Sequence, residues 1–253
     1  MSRYCRPREP RACHVKPVER LGTATAPDGT VLVLTRHDGA YSIRLGTAGG
    51  VELMSTRRHH SEDRLAELAC GPLAGTPGAR VLIGGLGLGF TLRAALVRLA
   101  PDARVTVAEL VEGVIAWNQR AEYGLAADAL ADPRVTLRHA DVADVLAEAR
   151  GADGRAAGGA YDAVLLDVDN GAAALVTAGN VRLYQAAGIR AAAAALAPGG
   201  RLAYWSADAD PAFEAALRRA GLAVEVARAR AYATGGRWHT LYVARRGATA
   251  GGP

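Results

Sequence analysis

From residue 80 onward, strand-like runs alternate with helical segments, and this alternation constrains the fold more than any other feature of the sequence. Each of five strand-like runs is followed by a helical segment: RVLIGG, RVTVAEL, RVTLRHA, YDAVLLD and RLAYWS. The longest of these segments, VRLYQAAGIRAAAAAL, is predicted to be one helix. The last two strands, LAVEVARARAYA and WHTLYVARR, have no helix between them. The pattern predicts an α/β fold with a mostly parallel seven-stranded sheet, helices on both faces and an antiparallel C-terminal hairpin.

A shorter β-rich segment precedes this region. Strand-like runs flank Asp38-Gly39, a tight-turn dipeptide, and VELM adds a further strand. SEDRLAELAC then predicts a helix with Ser61 as its N-cap and two acids in its first turn. The expected units of the chain are a flexible arm (1–20), a small β-hairpin domain with a linking helix (21–70), the α/β domain (71–246) and a flexible tail (247–253).

Composition limits the classes of function. A chain of 253 residues, half of them hydrophobic, can bury one sizeable core, and it has no apolar run of about 18 residues that would span a membrane. The arginine-rich start lacks the apolar segment of a secretory signal, so a cytoplasmic location is expected. Three cysteines without a CxxC pair predict neither a disulfide framework nor a zinc site. The net charge of +5 comes from dispersed arginines, which favours a small-molecule partner over nucleic acid.

The stretch VLIGGLGLGF, residues 81–90, places three glycines at every second position after the first strand of the α/β region. Gly85, Gly87 and Gly89 allow the backbone to approach a ligand closely. The dinucleotide fingerprint GxGxxG needs its third glycine three positions after the second, and here the spacing is two. No Gly-Lys-Ser/Thr follows, which excludes a P-loop. The spacing GxGxG instead resembles the first motif of class I S-adenosylmethionine-dependent enzymes.

Two acids in register with this loop support an adenosyl ligand. Glu109 ends the second strand, 20 residues after Gly89, where a carboxylate can bind both ribose hydroxyls. Asp141 follows the third strand, where this superfamily commonly contacts the adenine amino group. Taken singly, Glu109 can be a surface acid at a strand end and Asp141 a helix N-cap. Together with the glycines they predict an S-adenosylmethionine-type cofactor.

Over residues 21–245 the chain resembles the spermidine-synthase-like branch of this superfamily. RVLIGGLGLGFTL aligns without gaps to the family's strand and glycine loop. YDAVLLDVDNG followed by Leu183-Tyr184 resembles its Asp-Ser-Ser-Asp-Pro signature with a downstream Leu-Phe or Leu-Tyr, and HHSE at 59–62 stands where the family has a Tyr-His-Glu segment. The resemblance implies a Rossmann-like class I methyltransferase fold with a small N-terminal β domain. Because family members often dimerise through the sheet and the small domain, a homodimer is compatible with it.

The residue between the last two glycines departs from the family pattern. Aminopropyltransferases carry an aspartate there that meets the free ammonium of decarboxylated S-adenosylmethionine, and here the position is Leu88. Intact S-adenosylmethionine has a carboxylate beside its ammonium, which a close aspartate would repel. Plant putrescine methyltransferases, which resemble spermidine synthases, also have an aliphatic residue there. Leu88 therefore favours the intact cofactor and methyl transfer.

The positions that hold a polyamine also differ. The family's second strand-four aspartate, which helps hold a polyamine cation, matches Asn170, and its acids before the Tyr-His-Glu segment match Ser55, Thr56 and Arg57. Neutral and basic groups weaken a site for a dication. The leading hypothesis is therefore a methyltransferase acting on an amine, an amino-acid-like substrate or another small nucleophile. The alternatives are an aminopropyltransferase that uses decarboxylated S-adenosylmethionine and a non-catalytic adenosyl-binding protein.

The end of the fourth parallel strand supplies the candidate chemistry, because ligands bind at the carboxyl ends of strands in open α/β sheets. The family's first aspartate there takes a proton from the attacking amine. It matches Asp167, which we predict to be the general base or the amine anchor. Asp169 and Asn170 are predicted to orient the substrate or the methionine part of the cofactor. The alternative is that Asp167 caps a turn and Asp169 is solvated.

Other polar residues are weaker candidates. His60 and Glu62 are predicted to close over the site from the small domain, although Ser61-Glu62 is equally an ordinary helix start. The match to the family implies that Tyr184 faces the substrate. The alternative is that it packs against the protein as an aromatic residue of a helix. Four residues lie near strand ends or in loops, where they are placed either to rim the pocket or, as we expect for each, to be structural: Asn180, Trp205, Trp238 and His239. No metal is expected, because the spacing of the acids and histidines matches no usual ligand set.

Overall fold

The computed structural model describes residues 17–149, 161–168 and 180–248. Within these ranges the chain forms a four-stranded sheet and a seven-stranded sheet, so the predicted α/β fold with a small N-terminal β domain is confirmed. The arm and tail that the sequence predicts fall mainly outside the described residues, and the division into domains stays a prediction. Of the described helices, none is long and apolar enough to cross a membrane.

The small sheet is antiparallel throughout. Its strands, in spatial and chain order, are β1 (Glu19–Thr25), β2 (Val31–His37), β3 (Ala40–Leu45) and β4 (Glu52–Ser55). Asp38 and Gly39 connect β2 to β3 with φ angles of 50° and 76°, as a two-residue hairpin turn of type I′ requires. Leu34 and Ile43 pair across this hairpin and are buried, which fixes the face that packs inward. Strand β1 begins at Glu19, two residues before the predicted start of the small domain.

The large sheet follows after residue 79. Its strands are β5 (Arg80–Gly84), β6 (Arg104–Glu109), β7 (Val135–His139), β8 (Tyr161–Leu166), β9 (Leu196–Ser206), β10 (Ala223–Tyr232) and β11 (Gly235–Arg245). The spatial order is β10-β11-β9-β8-β5-β6-β7. Neighbours from β7 to β9 are parallel, whereas β11 is antiparallel to both β9 and β10. Strands β6 and β7 lie on one side of β5 and the later strands on its other side, so the order in which strands are added reverses at β5. A ligand crevice forms at the carboxyl ends of the strands beside such a point.

Eight α-helices occur in the described part of the chain. They are α1 (His60–Cys70), α2 (Phe90–Arg98), α3 (Glu112–Gln119), α4 (Ala127–Leu130), α5 (Val142–Glu148), α6 (Val181–Tyr184), α7 (Ala186–Ala195) and α8 (Pro211–Arg219). Short 3₁₀ turns cover Gly71–Leu73 and Ala121–Tyr123. Helices α2, α3, α5 and α8 each follow a strand, as the alternating pattern predicts.

Alternate residues of the central strands face two different cores. On β5, Val81 and Ile83 pack with the small sheet and with helices α1 to α3, whereas Leu82 packs with α5, α7 and α8 on the other face. Burial on both faces explains why the strand sequence is almost entirely apolar. The first core also contains Leu34 and Leu88, so the small sheet packs beside the glycine loop.

The start of α1 differs from the prediction. The N-cap position belongs to His59, and no side chain caps this helix end. Ser61 lies within the first turn, where it is buried. Its Oγ donates to the Glu62 carboxylate at 2.5 Å instead of accepting a backbone N–H. The prediction that Ser61 is the N-cap is therefore wrong, because a neighbouring acid takes its hydroxyl.

The helix predicted over residues 181–196 is interrupted. Gln185 is extended, with φ −80° and ψ 161°, and it separates α6 from α7. The two helices pack so closely that a Cβ at Gly188 would lie 2.1 Å from the Arg182 carbonyl oxygen. Glycine at this position therefore permits a tight turn that the helical periodicity does not reveal.

Candidate active site

The glycine loop leaves β5 in a conformation that favours glycine at every second residue. Gly85, Gly87 and Gly89 have φ angles of 88°, 53° and 82°. A Cβ at Gly85 would lie 2.4 Å from the backbone oxygen of Asp167, which follows the neighbouring strand β8. A Cβ at Gly89 would lie 2.4 Å from the Cβ of Ala126. These glycines are therefore required both by backbone conformation and by the closeness of the chain around them.

Glu109 holds the loop from the end of β6. The residue is 8 % exposed, and its carboxylate accepts the Leu86 N–H at 2.9 Å and the Val111 N–H at 2.8 Å. Burial raises the pKa of Glu109, and the hydrogen bonds from backbone amides oppose that rise. Glu109 lines the pocket beside the loop, which fits the predicted ribose contact, and that contact stays a prediction.

Asn118 supports the loop from α3, and the sequence analysis missed it. The side chain is fully buried, and its Nδ2 donates to the Gly87 carbonyl at 2.8 Å and to the Val114 carbonyl at 2.9 Å. The available signal is an amide residue inside an otherwise apolar helix, VIAWN, because buried polar groups require partners.

Asp141 lines the same pocket. It is the N-cap of α5, since its Oδ1 accepts the Ala143 N–H at 2.8 Å. Its Oδ2 pairs with the guanidinium of Arg182. Asp141 therefore caps a helix, which is the alternative role that the sequence analysis left open for it. The adenine contact stays a prediction, to which the pocket-lining position of Asp141 is suited.

Asp167 follows β8 directly and lies beside the glycine loop. Its backbone N–H donates to the Gly84 carbonyl at 3.0 Å, and its Oδ2 accepts the buried Thr91 hydroxyl at 2.7 Å. Burial raises the pKa of Asp167, whereas the hydroxyl lowers it. The sequence did not reveal Thr91. Thr91 lies in the first turn of α2, which follows β5, and β5 pairs with β8. This position is the signal that could have predicted its contact with Asp167.

Glu62 enters the same pocket from α1. Burial raises the pKa of Glu62 to about 8, and the nearby Asp167 carboxylate contributes to the rise. Both residues keep partial exposure because they open into the pocket. The pocket thus brings together two carboxyls that lie far apart in the sequence, and one of them retains its proton near neutral pH.

The cavity has a volume of about 150 Å³, and the charged residues described in its lining are all acidic. Four acids line it: Glu62, Glu109, Asp141 and Asp167. No Lys, Arg or His is among the described residues of its lining. The small sheet contributes apolar side chains: Leu32, Ile43, Leu53 and Met54. Asn180 and Trp205, for which the sequence predicts structural roles, also line the cavity.

Two predicted substrate residues lie away from this lining. His60 starts α1 but does not line the cavity. Its neighbour His59 instead stacks on Phe90, a lining residue, with ring centroids 4.2 Å apart. Tyr184 is buried against Tyr204 and Phe213 in the core on the opposite face of the sheet.

Other predictions concern the substrate end and a metal. Asp169 and Asn170 lie outside the described residues. Trp238 is largely exposed, with Arg230 stacked over its ring, and His239 packs on Trp205. Across the described chain, no three His, Cys, Asp or Glu side chains are grouped so that they could hold a metal ion.

Replacing Gly85 by alanine tests the closeness of the loop to β8. Gly29 is a matched control, because its φ of 87° is the same but no atom lies within 4 Å of its Cβ position. We expect Gly29→Ala to lower the free energy of unfolding by about 1 kcal/mol through backbone strain alone. Gly85→Ala should cost at least about 2 kcal/mol more, because the added methyl meets the Asp167 carbonyl. Urea denaturation measures both, and equal losses would contradict the tight packing described here.

Replacing Glu62 by glutamine tests the raised pKa. In the unfolded chain this carboxyl ionises near its ordinary pKa of 4.5, whereas in the folded protein it retains its proton to about pH 8. Ionisation therefore favours unfolding increasingly between these two values, and the loss of stability levels off above pH 8. We expect Glu62→Gln to raise the free energy of unfolding at pH 8.5 by about 1 to 3 kcal/mol relative to its effect at pH 5.

The control for this measurement is Glu67→Gln on the same helix. The pKa of Glu67 is lowered, chiefly by a hydrogen bond from Arg64, so its effect on stability has the opposite sign. Because the Glu67 side chain is 45 % exposed, we expect a change within about 0.5 kcal/mol. Urea denaturation at both pH values gives the comparison, and a pH-independent effect of Glu62→Gln would contradict the raised pKa.

Comparison with known proteins places the fold. No protein-family model matches the chain, and no curated protein matches it in sequence. The spermidine synthase from Thermotoga maritima is similar in structure, with a TM-score of 0.67 and 18% identity over 98% of this chain and 84% of that chain. A spermidine synthase in complex with the transition-state analogue AdoDATO gives 0.68 and 18% over the same shares. A probable spermidine synthase from Corynebacterium glutamicum gives 0.57 and 19% over 88% and 79%.

These comparisons contradict methyl transfer as the leading prediction. The three solved structures named above are spermidine synthases or a probable one, which match the aminopropyl-transfer alternative. The physical reason lies in the pocket. Leu88 does remove one acid from the loop, but Glu62 and Asp167 keep the cavity acidic. The chain therefore shares the fold of these spermidine synthases.

Proposed function

We propose that the chain is an aminopropyltransferase, with decarboxylated S-adenosylmethionine as the donor and a small amine as the acceptor. The observation that carries the proposal is the charge of the cavity, where four acids and no described cation form the lining. Such a lining suits ligands that carry positive charge only.

The two forms of the donor differ in one charged group. Intact S-adenosylmethionine has a carboxylate beside its ammonium, and that carboxylate would meet Glu62 and Asp167 with no cation among the described lining residues to offset the repulsion. The decarboxylated form presents only the sulfonium and the ammonium, and both are attracted to the acids. The same repulsion disfavours an amino-acid acceptor and favours a simple amine.

The residues of the cavity suit each part of this donor. The glycine loop and Glu109 would hold the ribose, and Asp141 stands at the adenine end. The pair Glu62 and Asp167 would balance the ammonium or the acceptor nitrogen. The donor supplies an electrophilic carbon bonded to sulfur, and that bond breaks as the acceptor nitrogen bonds to the carbon.

The acceptor nitrogen must lose a proton during this exchange. Asp167 is the proposed base, because the Thr91 hydroxyl fixes its Oδ2 and burial raises its pKa. A base is most effective when its pKa lies near the working pH. Glu62, with a pKa of about 8, lies beside Asp167 and would share the proton with it.

The proposal also accounts for Leu88. This side chain is 3 % exposed and packs in the core shared with the small sheet, so it helps to fix the loop. We propose that Glu62, carried on α1, supplies the negative charge that the loop itself does not supply, because a bound cation would lower the pKa of Glu62 and favour the loss of its proton. Two acids close together without a described cation reduce stability, and such costly arrangements are typical of functional sites rather than of a purely structural protein. A cytoplasmic location and a homodimer stay predictions.

Mass spectrometry of reaction products tests the proposal. The protein is incubated with decarboxylated S-adenosylmethionine and a panel of small amines, and the expected product is an amine that carries one added aminopropyl group. Asp167→Asn should lower kcat by about 10²- to 10⁴-fold, because the base is lost. The control is Asp144→Asn, an exposed acid on α5, which should keep kcat within about twofold. Unchanged turnover in Asp167→Asn, or a product that carries a methyl group, would contradict the proposal.

A further inference from the structure

A β-bulge in the small sheet supplies two consecutive residues to the lining of the cavity. In the ladder between β3 and β4, Ile43 pairs with Met54 and Arg44 pairs with Glu52, so Leu53 is the extra residue. A bulge breaks the alternation of side chains along a strand and redirects one of them, often beside an active site. This explains why Leu53 and Met54, although consecutive, both line the cavity.

Phe90 brings apolar surface to the two carboxyls of the candidate site. It precedes Thr91, whose hydroxyl donates to Asp167 at 2.7 Å. Its ring stacks on His59 with centroids 4.2 Å apart, and His59 is the N-cap residue of the helix that carries Glu62. We call three lining residues the apolar wall: Leu53, Met54 and Phe90.

The polar side chains that follow the bulge are used elsewhere. Residues 56–59 join β4 to α1. The Thr56 hydroxyl accepts the Tyr41 N–H at 3.0 Å, and the Arg57 guanidinium donates to the Asp38 carbonyl at 3.0 Å. Neither Thr56 nor Arg57 is among the described lining residues, and those that the small sheet does contribute are all apolar.

The four acids of the described lining offer a single place for a cationic nitrogen. Glu109 accepts two backbone N–H groups at the base of the glycine loop. Asp141 caps α5 and pairs with Arg182. Glu62 and Asp167 remain, and their carboxyls interact with each other electrostatically. A positive charge that lies away from this pair therefore meets mainly apolar surface in the described lining.

We infer that the acceptor is a hydrophobic primary monoamine, whose nitrogen lies at Glu62 and Asp167 and whose hydrocarbon chain packs against the apolar wall. A second ammonium at the far end of such a chain would lose its hydration beside apolar side chains, which is costly. A hydrocarbon end instead gains free energy from the same burial. The identification of this amine as the acceptor, with its nitrogen as the reacting atom, rests on the proposed function.

Calorimetric titration of the full chain with two matched amine series tests the inference without any donor present. The series are linear alkylamines and linear terminal diamines of three to seven carbons. We expect the affinity for the alkylamines to rise by about twofold to fourfold with each added methylene group. The heptylamine should bind at least about tenfold tighter than the seven-carbon diamine, whose second ammonium has no acid to pair with in the apolar wall.

Replacing Leu53 by aspartate should change this preference. The new carboxylate supplies a partner for a second ammonium, so we expect the seven-carbon diamine to bind about tenfold tighter than in the wild type and heptylamine about tenfold weaker. The matched control is Val51→Asp, which adds the same charge to the same sheet at a residue that is 70 % exposed and lies outside the described lining. It should retain the wild-type preference.

Leu53→Ala is a second variant that adds no charge and keeps the test decisive if Leu53→Asp does not fold. It should weaken heptylamine by about threefold to tenfold and leave propylamine within about twofold. Equal or tighter binding of the diamines by the wild type, an affinity that does not depend on chain length, no binding by any amine, or a wild-type preference in a folded Leu53 variant would each overturn the inference.

Because these titrations use no donor, their outcome is separable from that of the proposed function. Absence of aminopropyl transfer with an intact preference for long alkylamines would overturn the reaction and leave recognition by the apolar wall standing. Aminopropyl transfer to diamines without any preference for alkylamines would overturn the inference and leave the reaction standing.

Discussion

Repulsion between the carboxyls of Glu62 and Asp167 is the constraint on which the candidate site depends. The two acids reach one cavity from α1 and from the end of β8, and burial raises the pKa of both. This arrangement costs stability in the free protein and favours any ligand that brings positive charge. The rest of the site keeps the acids in place: Thr91 orients Asp167, and Gly85 allows the loop to lie against the backbone of β8.

The sequence permitted the prediction of the large sheet and of the glycine loop because both depend on local patterns. Alternation of strand and helix determines a mostly parallel sheet, and the carboxyl ends of adjacent strands bring the loop and Glu109 to one edge. Local patterns of this kind do not predict contacts between residues that are distant in the sequence. The meeting of Glu62 with Asp167 depends on how α1 packs on the large sheet, and the break at Gln185 depends on close packing between α6 and α7.

The error about methyl transfer has a specific physical cause. The hypothesis treated Leu88 as evidence on the charge of the whole site, although that charge is a sum over every side chain that lines the cavity. Glu62 lies on α1, far from the glycine loop in the sequence, and its pattern fits an ordinary helix start as well as a ligand contact. A fold shared at 18% identity does not by itself fix the substrate, so the side chains of the cavity must decide it.

The most direct test of the account compares the two sulfonium donors by calorimetric titration. The charged residues described in the cavity lining are all acidic, and only the intact form brings a carboxylate to Glu62 and Asp167. We therefore expect decarboxylated S-adenosylmethionine to bind at least about tenfold tighter than the intact form. In Glu62→Gln this preference should shrink, since half of the charge pair is gone. Equal or tighter binding of intact S-adenosylmethionine by the wild-type protein would contradict the account.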